Sequence, residues 1–250
     1  MLNRTTTLIA TLVTVLTVFV ATSAQAGFVL VEDFNTDEGN DGSLLGDTTN
    51  TGQVWGPLYF TPGTDIAVGS AFGQGGTKGG GTSASPNAGN QVSFAAQSGI
   101  VQLSYDMMTS PTASGVPQPL FRDSVSAQNS SFMISGGKLS HEGLGQNIYG
   151  SLSNDIPLGS SVHLDVTYDL TNKTILTKYQ EVGNALNSGS FNINYSPSFN
   201  PDTFAFFINS GVTSPRGIDN LTIGPVVPEP AAVTLLGLAG MGILRRRRAA

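Results

Sequence analysis

Acidic side chains are the first residues of this sequence that could do chemistry, because paired carboxylates cleave glycosidic bonds. The two carboxyl groups of such a pair stand roughly 5–9.5 Å apart across a cleft. Asp37, Glu38 and Asp41 lie in a segment rich in Gly and Asn, which is typical of a turn and does not fix carboxylates in place. Asp165 and Asp169 are four residues apart, about 13 Å along an extended strand. We expect these two to face solvent, and neither group predicts a hydrolytic pair.

Histidine and cysteine offer little nucleophilic or metal chemistry in this chain. The sequence has two histidines, His141 and His163, and no cysteine. It contains neither the HExxH pattern of zinc peptidases nor the GxSxG pattern of serine hydrolases. We expect both histidines to be ordinary surface residues and the chain to have no enzymatic activity. A carbohydrate-active enzyme, either a glycan hydrolase or a lyase with a site that the sequence does not display, is the alternative.

Aromatic side chains could bind a glycan, because a ring can stack on a sugar while neighbouring amides and carboxylates form hydrogen bonds. Trp55, Tyr59 and Tyr149 are the candidates for glycan binding, and Tyr179 and Tyr195 are further ones. The alternative is that these rings belong to the core, and for Trp55 that alternative is favoured.

Short segments in which polar and apolar residues alternate would position these side chains, and that pattern is typical of β-strands. Between residues 27 and 226 no apolar pattern with the period of a helix extends beyond two turns. Strands are predicted at 28–34, 53–60, 65–68, 91–95, 100–107, 120–125, 131–134, 147–152, 162–170, 174–180, 190–195, 203–209 and 218–223.

The clearest predicted strand covers residues 162–170. Its apolar residues, from Val162 to Tyr168, would face the core, and the residues between them, from His163 to Asp169, would face solvent. A turn at residues 171–173 then makes 162–180 an antiparallel hairpin. Residues 69–90 are dominated by Gly and Ser, and we predict a flexible loop there.

The N-terminus reads as a secretory signal peptide, with a basic start, an apolar run and the site Ala24-Gln25-Ala26. We expect cleavage after Ala26, which leaves residues 27–226 as one domain ahead of a distinct C-terminal segment, 227–250. This domain has 6 basic and 16 acidic residues, a net charge of −10. Such an acidic surface disfavours binding to nucleic acid or anionic lipid.

The C-terminal segment has three parts in a fixed order, which are Val227-Pro228-Glu229-Pro230, an apolar run over 231–244, and Arg245-Arg246-Arg247-Arg248. Fourteen residues of helix rise about 21 Å, which is short of the ~30 Å hydrocarbon core of a membrane. Four arginines favour the cytoplasmic side. We therefore expect a transmembrane helix that anchors the protein temporarily with its C-terminus in the cytoplasm. An amphipathic or core helix is the alternative.

This segment resembles the PEP-CTERM sorting signal of bacterial exported proteins, through the Pro-Glu-Pro group, the apolar run and the arginines. The resemblance implies that a membrane protease of the exosortase type recognises and removes the tail, so that the protein is exported to the cell surface or extracellular matrix. Pro228, Glu229 and Pro230 would be recognition residues for that partner. The resemblance implies nothing about the domain ahead of the tail.

A second resemblance concerns the domain itself. Residues 162–174 resemble the strand–turn–strand of concanavalin A-like and laminin-G-like jelly rolls, and residues 217–223 resemble their closing strand. Glu32-Asp33-Phe34, residues 41–44 and Trp55 are similar to the opening of such domains. The implied fold is an all-β, two-sheet antiparallel β-sandwich.

Two functional expectations follow from this second resemblance. Such sandwiches often join their first and last strands through a structural Ca²⁺, for which Glu32, Asp33 and Asp219 are the candidates. Polar strand-end chemistry is the alternative for these residues. Hydrolases of this fold carry Glu-x-Asp-x-Glu on one strand, and no such triplet occurs. We therefore expect a non-enzymatic surface domain that holds a polysaccharide, with a purely structural module as the alternative.

Overall fold

A computed structural model describes residues 28–34, 44–58, 66–69, 72, 79–82, 88–108, 117–135, 137–150, 152–208 and 216–225. The strands there are β1 (Leu30–Glu32), β2 (Gly56–Pro57), β3 (Ala67–Gly69), β4 (Gly79–Thr82), β5 (Ala88–Ser93), β6 (Ile100–Met108), β7 (Pro117–Arg122), β8 (Asn129–Ser135), β9 (Lys138–Gly143), β10 (Ser161–Asp169), β11 (Thr174–Glu181), β12 (Asn184–Asn194), β13 (Thr203–Ile208) and β14 (Arg216–Pro225). The described part of the chain has no helix long and apolar enough to cross a membrane. The predicted signal peptide, with Ala24 and Ala26, and the C-terminal segment lie outside the described residues.

The strands form two sheets. The eight-stranded sheet has the order β12-β11-β10-β6-β14-β4-β3, with β1 also pairing with β14. The six-stranded sheet has the order β2-β5-β13-β7-β8-β9. The strand pairs with a described register are all antiparallel. The expected all-β class with two antiparallel sheets is confirmed.

The core lies between the sheets, because each strand turns alternate side chains inward. On β10 the apolar residues from Val162 to Tyr168 are fully buried, while His163 and Asp165 are partly exposed, as the alternation predicted. The hairpin of β10 and β11 pairs Asp169 with Thr174, also as predicted. The rings of Phe121 on β7 and Tyr168 on β10 pack with centroids 5.0 Å apart, which joins the six-stranded sheet to the eight-stranded one. Residues 28–224 form one compact unit around this core.

Two predictions about the strands are wrong. The predicted flexible loop at 69–90 contains β4, which pairs with both β3 and β14. Strand pairing uses backbone N–H and C=O groups, so a strand composed largely of glycine can be held without an apolar side chain. The predicted strand at 147–152 is only a single bridge between Ile148 and His141. The strand in this part of the chain is instead β9. It was not predicted, because its charged residues and its histidine do not give the apolar pattern of a strand.

The edges of the two sheets differ in how they are covered. Strands β2 and β3 have only two and three residues. The outer edge of β9 bonds to the segment that follows, through Ile148 N to His141 O at 2.8 Å and Leu152 N to Leu139 O at 3.2 Å. Strand β12 ends the eight-stranded sheet, has eleven residues and contains no charged residue and no proline.

Candidate functional site

A groove of about 410 Å³ lies on the outer face of the six-stranded sheet, where side chains point away from the core. Leu120 on β7, Ser131 on β8 and Glu142 on β9 are register partners, so they form one row across three strands. Gln118 and Phe207 are partners in the neighbouring row. The sheet positions these side chains because the residues beside them in the chain, such as Phe121 and Phe132, are buried in the core.

Two turns form the walls of the groove. One follows β7 and places residues 127–129 against the groove. The other follows β9, where Gly143 N donates to Asn147 Oδ1 at 3.1 Å and Gln146 N donates to Gly143 O at 2.8 Å. Gly143 has a φ of +111°, and a Cβ at this position would stand 1.9 Å from the carbonyl oxygen of Asn129. Only glycine therefore allows β9 to approach β8 at this wall.

Neutral polar groups dominate the groove. It is lined by the amide side chains of Gln118, Gln128, Asn129 and Asn147, with the apolar side chains of Leu120 and Phe207. Glu142 is the one carboxylate among its described lining residues. The hydroxyl oxygen of Ser131 is buried and has no hydrogen-bond partner within the described residues. Since buried polar groups are almost always paired, a polar ligand could satisfy this hydroxyl, but only if the side chains that cover its oxygen move aside.

The lining residues were not predicted as a site, although one signal in the sequence points to them. Gln118 lies between the buried Pro117 and Pro119, and Ser131 precedes the buried Phe132, a pattern that is typical of the outer face of a strand. Which strands lie side by side, and hence that β7, β8, β9 and β13 share one face, is decided by pairings that the local pattern does not contain.

The predicted glycan-binding aromatics lie in different places. Trp55 is only 1% exposed, and its indole Nε1 donates to Glu32 Oε2 at 3.0 Å. Its ring is part of the core and offers no face to a sugar, which agrees with the alternative that the sequence favoured for Trp55. Tyr59 lies outside the described residues, and Tyr179 and Tyr195 are buried. Tyr149 is 58% exposed and lies two residues after Asn147, so it stays a candidate.

Among the candidate calcium ligands, Glu32 ends β1, Asp33 follows it, and Asp219 lies on β14 two residues before Leu221, the register partner of Glu32. Glu32 and Asp219 are both buried, whereas Asp33 is partly exposed. The Glu32 carboxylate accepts hydrogen bonds from Phe34 N at 2.8 Å and from the Trp55 indole. No cluster of three metal-ligating side chains is found within the described ranges. The Glu32 carboxylate is thus occupied inside the protein, and the calcium site stays a prediction.

A charged cluster lies on the outer face of the eight-stranded sheet. His163 Nδ1 is 2.7 Å from Asp106 Oδ1, and His163 Nε2 is 3.5 Å from Asp165 Oδ1. Hydrogen bonds to these two carboxylates, to Asp106 first, raise the pKa of His163 to about 10 against the desolvation that lowers it. The hydrogen bond from His163 lowers the pKa of Asp165 to about 2. Asn220 Nδ2 donates to the second oxygen of Asp106 at 2.7 Å.

This cluster has the outline of a hydrolytic triad, because Ser104 Oγ is 3.4 Å from His163 Nε2 and Asp106 holds the other nitrogen. A triad histidine must take the proton of the nucleophile, so it must be neutral at the working pH. The carboxylates keep His163 protonated far above neutrality, and the cluster is an ion-pair network. His163 lies on the outer face of its strand and is partly exposed, as expected, and the sheet places it between two carboxylates, a contact that the sequence did not predict.

His141 is fully buried between the sheets, so the expectation that it lies on the surface is wrong. The hydroxyl of Tyr168 donates to Ser130 Oγ at 2.9 Å, and Ser130 Oγ stands 2.9 Å from His141 Nε2. His141 Nδ1 is 3.0 Å from the carbonyl oxygen of Gln146, which can only accept. Neutral His141 therefore donates from Nδ1 and accepts at Nε2. Burial lowers the pKa of His141 to about 4, although the Gln146 carbonyl acts to raise it.

Residues 226–248 match the family model of the PEP-CTERM protein-sorting motif. The chain carries a PEP-CTERM sorting motif. This match agrees with the expectation from Val227-Pro228-Glu229-Pro230 and the arginines from Arg245 to Arg248. The PEP-CTERM motif identifies a protein that is exported and sorted at the membrane. No curated protein matches the chain.

The solved structures that resemble this chain include lectins and a glycoside hydrolase domain. Arcelin-5, a lectin-like defence protein from Phaseolus vulgaris, is 10% identical over 78% of this chain and 97% of its own, with a TM-score of 0.45. Lectin II from Ulex europaeus is 8% identical over 74% of this chain and 96% of its own, with a TM-score of 0.47. The catalytic domain of a glycoside hydrolase family 131 protein from Coprinopsis cinerea is 13% identical over 65% of this chain and 78% of its own. The TM-score is 0.42.

Proposed function

We propose that a membrane protease of the exosortase type removes the PEP-CTERM tail, and that the remaining β-sandwich binds a polysaccharide at the cell surface or in the extracellular matrix without cleaving it. The observation that carries the glycan-binding part is the Ser131 hydroxyl, which has no partner within the described residues, in a groove lined mainly by neutral polar groups. Sugar hydroxyls both donate and accept, so they suit Ser131 and the surrounding amides, and sugar C–H faces suit Leu120 and Phe207.

The charges in the groove favour binding over hydrolysis. Glycoside hydrolysis by the usual route needs two carboxylates across the scissile bond, and the described lining residues contain only Glu142. The arginine nearest in register, Arg122, bonds to Asn129 Oδ1 at 3.3 Å. We infer a ligand that is neutral overall, because a fixed anion on it would meet Glu142 and the acidic surface of the domain.

A glycan array with the protein of residues 27–226 tests the binding, in Ca²⁺ and in EDTA, followed by product analysis on every glycan that binds. We expect Ser131→Ala to weaken binding about 2- to 10-fold, the net value of one hydrogen bond, without lowering stability, because no described group loses a partner. Thr177→Val is the matched control, since Thr177 Oγ1 is another buried hydroxyl without a described partner but does not line the groove.

Each result of the array has a defined meaning. Binding that Ser131→Ala weakens and Thr177→Val leaves unchanged supports the proposal. Cleavage of a bound glycan would contradict the proposal and indicate a carbohydrate-active enzyme. No binding to any glycan on the array would favour a purely structural module.

The processing step is tested by replacing Pro228, Glu229 and Pro230 with alanine in the full chain. We expect the variant to keep its tail, because the resemblance to the PEP-CTERM sorting signal implies that these residues, which lie within the matched motif, are recognised by the protease. The masses of the exported wild-type and variant proteins measure this directly. Loss of the tail from both would contradict the proposed role of these three residues.

A further inference from the structure

We propose that strand β12 pairs with β12 of a second copy of this chain, so that the mature protein forms a two-fold dimer with a continuous sheet. This inference is independent of the glycan-binding groove, which lies on the other sheet. It starts from the edge of the eight-stranded sheet, where β12 pairs with β11 on one side only.

Exposed edges are normally protected against pairing with another chain. Proteins use short strands, charged residues, proline or a covering segment for this purpose. Strands β2 and β3 are short, and β9 carries Lys138 and Glu142 and is covered by the chain after it. The regular part of β12, residues 188–194, has none of these features within the described structure. It is seven residues long, roughly 23 Å, which is enough for a full ladder of backbone bonds.

The composition of β12 suits pairing with itself. A two-fold axis puts the strand opposite its own copy, so any charge would stand near the same charge. Residues 188–194 are uncharged, although the domain around them carries a net charge of −10. A register centred on Phe191 would place Ser190 opposite Asn192 of the second copy and Ser188 opposite Asn194. These exposed hydroxyls and amides can donate and accept in either direction.

A second observation lies at the start of the same strand. The register between β11 and β12 shifts between Gln180 and Glu181, so residues 185–187 bulge out of the ladder. Leu186, in this bulge, is 95% exposed, the most exposed large apolar side chain of the described residues. Covering such a side chain is favourable, and a second copy along the edge would do so.

The association of residues 27–226 tests the inference, measured by sedimentation equilibrium from about 1 µM to 1 mM. A single pair of strands is a small interface, so we expect a dissociation constant on the order of micromolar. Ser190→Lys should weaken the dimer about tenfold or more, because it places two like charges beside the axis. Ser98→Lys adds the same charge on an exposed loop before β6 and should leave the dimer intact.

Hydrogen exchange distinguishes this dimer from any other. The outward-facing amides of residues 188–194 should exchange more slowly at the higher protein concentration in the wild type and in Ser98→Lys, and not in Ser190→Lys. A wild type that stays monomeric throughout would overturn the inference. A dimer that Ser190→Lys does not weaken would also overturn the inference. The same holds for a dimer whose formation leaves the exchange of these amides unchanged.

Discussion

Protonation of His141 should make this fold sensitive to mild acid. The buried imidazole accepts at Nε2 from Ser130, and a proton there would make Nε2 a donor, which would leave one hydroxyl hydrogen of Ser130 or Tyr168 without a described acceptor. Its pKa is about 4 in the folded protein, against about 6.5 in the unfolded chain. A lowered histidine pKa means that its contribution to stability is complete above about pH 6.5 and is lost as the pH falls towards 4. Linkage gives a loss of about 2 kcal/mol between pH 7 and pH 5 from this one group.

Urea unfolding at pH 7 and pH 5 measures this loss, in the wild type and in His141→Gln, which cannot titrate. The variant is expected to be less stable at pH 7, because its amide reproduces the hydrogen bonds only in part. Between the two pH values, however, the wild type should lose about 2 kcal/mol more than the variant. The shifted groups of the other cluster, His163 and Asp165, are present in both proteins, so their effects cancel in this difference.

Equal losses in the two proteins would refute the reasoning. A second measurement does not depend on the stability of the variant. The imidazole of His141 can be titrated by NMR in the folded wild type, and its midpoint should lie near 4. A midpoint near 6.5 would mean that the ring is accessible to water, and the buried hydrogen-bond chain would then be wrong.

Other substitutions test the rest of the structure. Gly143→Ala should lower the unfolding free energy by more than about 3 kcal/mol, because the added Cβ meets a backbone oxygen. Gly145→Ala is the control, since Gly145 has a φ of +73° but open space around an added Cβ, and it should cost about 1 kcal/mol. Trp55→Phe should cost about 1–3 kcal/mol in urea unfolding, because it removes a buried donor from Glu32. The difference in melting temperature between wild type and His163→Gln should be largest below pH 6.5 and should narrow as the pH rises through about 10, because folding raises the pKa of His163. A difference that stays constant with pH would contradict this. A calcium ion at the predicted site should raise the melting temperature relative to EDTA, and equal temperatures would remove that site.

The fold could be predicted where the signal is local. The alternation in β10 and the turn after it specified a hairpin whose pairing of Asp169 with Thr174 the structure confirms. Strand β4 could not be predicted in the same way, because its glycines carry no side-chain pattern and its partners are β3 and the distant β14.

The candidate site depended on contacts between residues far apart in the chain. Ser131 looks like any polar strand residue until Glu142 and Leu120 are placed beside it. His163 gives no hint of its charge state until Asp106, from another strand, meets its ring. A single sequence shows which way a side chain points more readily than what it will meet.

The place of β14 in the eight-stranded sheet governs the order in which an exported chain can fold. This strand pairs with β6, β4 and β1, and it ends at Pro225, next to the sorting motif that begins at residue 226. A chain that crosses a membrane N-terminus first delivers β14 last, so the sheet lacks an interior strand until nearly the whole domain has crossed. Pairing of β1 with β14 also closes a loop of almost the entire domain, which is the slowest kind of contact to form. The sheet of an exported chain can therefore be complete only after β14 has crossed, and a chain stalled before that point remains open to proteolysis.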